Sequence, residues 1–172
     1  MLFRSDISFV GASDNKIRNK LFQKINEIKN LKIFIKKHNF WIKSLEEKNA
    51  SIFFYEKIMQ DSKFVLCPRG RGLNSIRFFE TLSFGRIPIL ISDDTQLPLE
   101  SKINYDEFII RLPENQLGDI ENYVIDFQNK KNIHDVSKKC RQIWEKYFSE
   151  NQFEYFLKES ILEKNKHLMK II

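Results

Sequence analysis

The sequence predicts an α/β fold: a doubly wound parallel sheet flanked by helices, followed by a helical C-terminal tail, in a chain of 172 residues. Two observations carry that expectation. Short β-leaning apolar runs alternate with amphipathic stretches, and parallel neighbours need a crossover for which a helix is the usual device. A glycine-rich loop also follows one apolar run and precedes a helical stretch, at the strand end where open α/β sheets hold ligands.

Ile7 to Val10 is a short apolar run closed by Gly11, Ala12 and Ser13, which predicts a buried strand feeding a loop. Ile17, Leu21, Ile25 and Ile28 recur at helical steps and predict an amphipathic helix from Ile17 to Ile28. A second short strand is expected from Lys32 to Ile35. Lys36 to Asn49 are polar, with His38, Trp41 and Leu45 as islands, and suit a long connection or a poorly defined helix. Ser51 to Gln60 reads as a helix, and Phe64 to Cys67 as a buried strand stopping at Pro68.

Ser75 to Phe84 reads as a helix that passes through Gly85 into the strand Ile87 to Ile91. A loop with Asp93, Asp94 and Pro98 precedes a strand from Phe108 to Arg111, ended by Pro113. Residues 114–172 are expected to be helical. Trp144, Tyr147, Phe148, Phe153, Phe156, Leu157, Ile161 and Leu162 give that tail more apolar surface than one exposed helix needs. It packs either on the domain itself or on a missing partner domain.

With 42% hydrophobic and 30% charged residues, the chain has the material for one core and is not a disordered composition. A single domain spanning 1–172 is expected. The net charge of +6 suits an anionic ligand, a nucleic acid or a membrane surface. Lysines are interspersed with Glu, and the 16 Phe fall at core-like periods and not among exposed basic residues, which speaks against nucleic acid. Cys67 and Cys140 have neither CxxC nor His spacing, so no disulfide framework and no metal site is expected, and a reducing, cytoplasmic compartment is. No run approaches a transmembrane length and Met1 to Asp6 carry no signal-peptide pattern, so at most a peripheral membrane association is expected.

The chemistry concentrates between Phe64 and Leu82, a strand, a loop and a helix start. Gly70 and Gly72 allow φ angles closed to other residues and a close backbone approach to a ligand. The helix start, with Asn74 or Ser75 as N-cap, exposes unpaired N–H groups and the positive end of the helix dipole. Arg69, Arg71 and Arg77 place three permanent cations within nine residues, and guanidinium matches phosphate oxygens. Glu80 lies one turn beyond Arg77, suited to ribose hydroxyls or to an ordinary i,i+3 ion pair. Neither GxxxxGK[ST] nor a complete GxGxxG is present, which removes the main support for P-loop and dinucleotide sites and leaves a nucleotide sugar as the natural anion.

This arrangement resembles the exostosin-type glycosyltransferases. The resemblance begins at Ser8-Phe9-Val10-Gly11 with Ile17-Arg18, and is centred on Cys67-Pro68-Arg69-Gly70 through Ser75, Arg77 and Glu80. It continues through Gly85-Arg86-Ile87-Pro88-Ile89-Leu90-Ile91-Ser92-Asp93, Leu97-Pro98 and Asp106-Glu107-Phe108, so that it runs from about Ser8 to Pro113. It implies one Rossmann-like half of a GT-B fold and an inverting hexosyl or pentosyl transfer from a nucleotide sugar, usually UDP-linked, to a saccharide acceptor, as in polysaccharide biosynthesis. It implies no cofactor and no obligatory metal. By the same likeness Arg77 and the loop around Gly70 to Ser75 hold the diphosphate and Glu80 the ribose.

Family members normally precede this region with an acceptor-binding domain, and few residues stand here before the first strand. An inverting transfer also needs a general base. Asp93 and Asp94 are the local candidates, and both also suit loop-forming turn chemistry. The base otherwise belongs to the absent half, in which case the chain is a donor-binding module acting with a partner subunit. His38, His134 and His167 have no ligand spacing and are expected at the surface, and Cys67 is expected as a small buried side chain, not a nucleophile.

Overall fold

The computed structural model of the protein describes residues 3–37, 44–152, 154–159 and 161–162. Among these, the chain runs β1 (Ser5–Gly11), α1 (Lys16–Lys24), β2 (Ile33–Lys37), α2 (Leu45–Gln60), β3 (Ser62–Pro68), α3 (Ile76–Ser83), β4 (Ile87–Ile91), β5 (Ile110–Leu112), α4 (Ile120–Lys130) and α5 (Ile133–Tyr147). The strands form one parallel sheet in the order β2-β1-β3-β4-β5. The β1-to-β2 and β3-to-β4 crossovers step in opposite directions, so right-handed connections put α1 and α3 on opposite faces. The carboxyl ends of β1 and β3 therefore diverge into a crevice, the switch point where such sheets bind ligands.

Burial explains the strand sequences. All five residues of β4 are buried, as are Phe64, Val65, Leu66 and Cys67 of β3, because helices cover both faces and leave no solvent side for alternating polar residues. Pro88, which has no N–H to give a ladder, pairs with Val65 one residue before β5 begins to pair at Ile89. Phe9, Phe64, Phe78 and Phe108 are fully buried and anchor the core, and burial of such a side chain contributes about 1.5–3 kcal/mol.

Several boundaries differ from the sequence expectation for identifiable reasons. The first helix ends at Lys24, and Ile25–Glu27 tighten into a 3-10 turn that still buries Ile25. α2 begins at Leu45, six residues before the expected Ser51, because the Ser44 side chain accepts the Glu47 N–H at 3.2 Å and Glu46 and Glu47 face the positive helix end. β3 includes Pro68, which pairs with Ile91. Tyr105–Glu107 form a 3-10 turn whose Tyr105 carbonyl accepts from Phe108 and Ile109, so the last strand starts only at Ile110. The expectations for His38, Trp41, Phe153 and His167 lie outside the described residues.

Helix α3 ends in a Schellman cap. Gly85 has φ +61°, its N–H donates to the Leu82 carbonyl at 2.9 Å and that of Arg86 to Thr81 at 3.0 Å. A Cβ at Gly85 would also stand 3.1 Å from the Ser137 carbonyl oxygen of α5. The tail packs on the domain: Tyr147 is buried, and Phe148 meets Phe79 and Phe156 edge-on at 5.1 and 5.7 Å. Leu157, Ile161 and Leu162 remain exposed.

Candidate functional site

The glycine-rich loop connects β3 to α3 and is braced from both sides. Arg69 N–H donates to the Ile91 carbonyl at 3.1 Å and Gly70 N–H to Asn74 at 3.2 Å, while the Leu73 carbonyl accepts from the Ser92 and Thr95 hydroxyls. On the β1 side, Asn15 caps α1 by accepting the Arg18 N–H at 2.9 Å and donates its amide to the Arg69 carbonyl at 3.1 Å. α1 and the loop thus start from one hydrogen-bonded knot. Ser75 is the N-cap of α3, but its hydroxyl makes no capping bond and is buried without a partner.

A cleft of about 660 Å³ opens here, lined among others by Arg18, Tyr55, Gly70, Ser75, Arg77 and Glu80. Ile52 and Ile76 form its exposed apolar lips. Arg77 is only 8% exposed. Its Nη2 donates to the Val10 carbonyl at 2.8 Å and its Nε to the Tyr55 hydroxyl at 3.2 Å, and its guanidinium lies 4.5 Å from the centre of the Phe9 ring. Its Nη1 is buried and has no hydrogen-bond partner. A Cβ on Gly11 would stand 2.9 Å from Nη2, so the close approach of Arg77 to β1 requires glycine there.

Tyr55, on α2, links the two predicted residues of α3. Its hydroxyl accepts from Arg77 and donates to Glu80 Oε2 at 2.6 Å. Burial first, with the adjacent Glu80 carboxylate, holds this hydroxyl well above the usual phenol range against the opposing pull of Arg77. The expected alternative of a solvated Arg77–Glu80 ion pair is not what forms: both side chains turn into the cleft with the tyrosine between them.

The structure brings Gly70, Asn74, Ser75, Arg77 and Glu80 together and sets the other candidates apart. Arg69 turns to the opposite side of the loop, where both Glu114 carboxylate oxygens receive its Nε and Nη2. That hydrogen bond raises its pKa, so its charge is already matched. Arg71 and Gly72 lie on the exposed loop tip. Gly85 is the glycine with positive φ among the described residues, so neither Gly70 nor Gly72 is there for a forbidden backbone angle; a Cβ at Gly70 would meet only Asn74 oxygen, at 3.6 Å. Asp93 accepts the Glu114 N–H at 2.9 Å and so braces the exits of β4 and β5.

Cys67 is fully buried, its thiol pushed up to about 12 by burial, as befits a packing residue. His134 is exposed. No group of three His, Cys, Asp or Glu that could hold a metal occurs among the described residues. Sequence reading missed Arg18, Tyr55 and the steric role of Gly11. For Arg18 a signal existed, since an Asn cap at position 15 puts it one turn into the helix that leaves β1.

A crossover-linked parallel sheet with a glycine-rich loop at its switch point defines the class, an α/β domain of the kind glycosyltransferases use. The family profile described as the Exostosin GT47 domain matches residues 6–126, and the chain belongs to that family. Among characterised proteins it is similar to Exostosin-1 of Drosophila melanogaster, 38% identical over 94 residues, which cover 55% of this chain and 12% of that protein. It is 30% identical over 93 residues to the Exostosin-1 homolog of Caenorhabditis elegans, covering 54% of this chain and 24% of the other. With Exostosin-1c of Danio rerio the figures are 31% over 101 residues, 56% and 13%. The aligned part thus spans less than a quarter of each of these relatives. No helix among the described residues is long and apolar enough to cross a membrane.

Proposed function

We propose that the domain holds a nucleotide sugar, UDP-linked, in the cleft between the ends of β1 and β3 and serves an inverting transfer of its hexosyl or pentosyl group to a saccharide acceptor, in a GT-B arrangement. The observation that carries this reading is Arg77, a buried permanent cation in the wall of the cleft whose Nη1 has no hydrogen-bond partner. The surrounding carbonyl, hydroxyl and ring fix its position without neutralising its charge. Ser75, Ile76 and Arg77 at the start of α3 line the same cleft, and in this reading the helix start adds its unpaired N–H groups and the positive end of its dipole.

In the reaction the bond between the sugar and the phosphate oxygen breaks and its electron pair stays on the diphosphate. A fixed cation and fixed N–H groups stabilise that growing charge more than they stabilise the bound donor, which lowers the barrier. Gly70, Asn74 and Ser75 flank the diphosphate in this reading, and Glu80, oriented by Tyr55, accepts from ribose hydroxyls. The charge is met by the protein's own groups, so the reading needs no metal ion.

A second reading, a donor-binding module completed by a partner subunit or an acceptor-binding domain, is favoured by the position of Asp93. Its carboxylate accepts from the Glu114 amide and is not part of the cleft lining, and in this reading the base for the acceptor's proton comes from the second half. Under it, UDP binds and transfer appears only when the second half is supplied.

The test common to both readings is thermal unfolding with UDP and with uridine. UDP at about a hundred times its Kd should raise Tm by roughly 5–10 °C, uridine much less, and Arg77→Ala should cut the UDP shift to about half or less while remaining folded. Equal shifts by UDP and uridine, or an undiminished UDP shift in Arg77→Ala, would contradict the assignment.

A further inference from the structure

We infer that the edge of the domain formed by α1 and β2 is an electrostatic docking surface for an anionic lipid bilayer, held to the headgroups by lysines and without insertion. Arg18 excepted, the charged residues of this edge do not line the cleft, so the surface does not depend on what the cleft binds.

The charge of the chain is concentrated. Residues 14–37 contain eight of the 29 basic residues and two of the 23 acidic ones, a net +6, and the rest of the chain contains 21 of each. The whole net charge thus lies in one crossover unit, and β2 is an outermost strand of the sheet, so this unit forms an edge of the molecule. Lys16, Lys20 and Lys24 recur at four-residue steps on exposed positions of α1, whose Ile17 and Leu21 are buried. Lys29 and Lys32 are exposed in the connection, and Lys36 and Lys37 at the end of β2.

Little of this charge is matched. Asp14 pairs with Arg18, and Glu27 with Lys24. On the neighbouring elements, Asp6 of β1 accepts the Lys32 N–H but is held by Lys63 at 2.7 Å, and Glu121 of α4 accepts the Asn30 N–H. Among the described residues, the side chains of Lys16, Lys20, Lys29, Lys32, Lys36 and Lys37 stand in no ion pair. Lys36 and Lys37 lie over the Phe54 and Phe22 rings, 4.4 and 5.1 Å from their centres, contacts that position an ammonium group without neutralising it.

The residue types choose the partner. Seven of the eight cations are lysines, hydrated point charges suited to a smeared negative surface; the forked guanidinium that reads single phosphates occurs here only as Arg18, at the cleft. Single-stranded nucleic acid is held by stacking on free aromatic faces, and both rings here lie under lysines. The potential of an anionic bilayer falls off within a Debye length, about 8 Å in physiological salt, so lysines count only when gathered on the face that touches it. The apolar residues of α1 are buried in the core, which leaves charge as the means of attachment.

The experiment measures partition onto vesicles of phosphatidylcholine alone and with about 30 mol% phosphatidylserine, at low and high salt. Wild-type protein should bind the mixed vesicles about tenfold or more tightly than phosphatidylcholine, and lose that preference by about 0.5 M salt. Lys16→Gln, Lys20→Gln and Lys24→Gln combined should weaken binding about 10- to 100-fold, at up to roughly fivefold per lysine, with Tm and UDP response unchanged. Should that triple variant not fold, Lys36→Gln with Lys37→Gln carries the test, with about tenfold weakening expected. Removing the same charge from α4 and α5, as Lys130→Gln, Lys138→Gln and Lys146→Gln, should leave partition within about threefold. Equal weakening in the two triple variants, or no preference of the wild type for phosphatidylserine, would overturn the surface. A DNA duplex bound more tightly than the mixed vesicles at the same salt, and lost in the α1 variant, would assign the edge to nucleic acid and overturn the bilayer.

Discussion

The loop after β3 has two sides, and they use the same residue type oppositely. Toward β4 and β5, Arg69 is clamped by both oxygens of Glu114, whose own N–H is held by Asp93. Toward β1, Arg77 touches a carbonyl, a hydroxyl and an aromatic face and keeps one donor unmatched. In the proposed reading, the guanidinium that the fold fixes without neutralising is the ligand group. One held by a carboxylate is a brace, and sequence proximity to glycines does not distinguish the two.

The comparison breaks most sharply at Arg77. Arg77→Ala should cost roughly 2–4 kcal/mol of transition-state stabilisation, by analogy with removing an oxyanion donor, read as kcat/KM wherever a competent acceptor and partner half are supplied. Full turnover in this variant would show that the β1 side holds no reacting charge.

A smaller effect is expected at Gly11. Gly11→Ala drives a methyl to 2.9 Å from Arg77 Nη2 and 3.0 Å from the Phe9 ring, so the guanidinium has to shift. Overpacking of this kind costs typically about 1–3 kcal/mol of stability, and UDP affinity should fall with it. Chemical denaturation combined with UDP titration checks both; an unaffected affinity would mean that Arg77 need not sit against β1.

The least effect should come from the other side of the loop. Glu114→Gln removes a partly exposed ion pair, with side chains 30% and 20% exposed, worth about 0–1 kcal/mol. UDP affinity should stay within about twofold, since such a loss of bracing is below roughly 0.4 kcal/mol at the site. A tenfold change would bring Arg69 back into the binding machinery.

These contrasts also mark what could be read from the chain alone. The Ile87–Ile91 strand and the helix start at Ser75 were legible because continuous apolar runs, a glycine cap and proline are local signals. α2 was less so: Met59 is its buried residue, so its periodicity is weak and its start is set by a Ser44 cap, not by an apolar stripe. Phe108 is as buried as any strand residue, and only the hydrogen bonds of the Tyr105 turn separate it from β5.

The site divides the same way. Gly70, Asn74, Ser75, Arg77 and Glu80 share one stretch of chain and could be nominated together. Arg18 and Tyr55 come from α1 and α2, and it is the reversal of strand order at β1 that carries them to α3. Arg69 was nominated by composition and lost to Glu114, 45 residues away, a partner no local pattern announces.

The most direct test of the account sets the two arginines side by side in one titration. UDP affinity should fall about 10- to 100-fold in Arg77→Ala and stay within about twofold in Arg69→Ala, with both proteins folded. Equal losses in the two variants, or a loss confined to Arg69→Ala, would contradict the claim that the unmatched cation on the β1 side is what holds the anion.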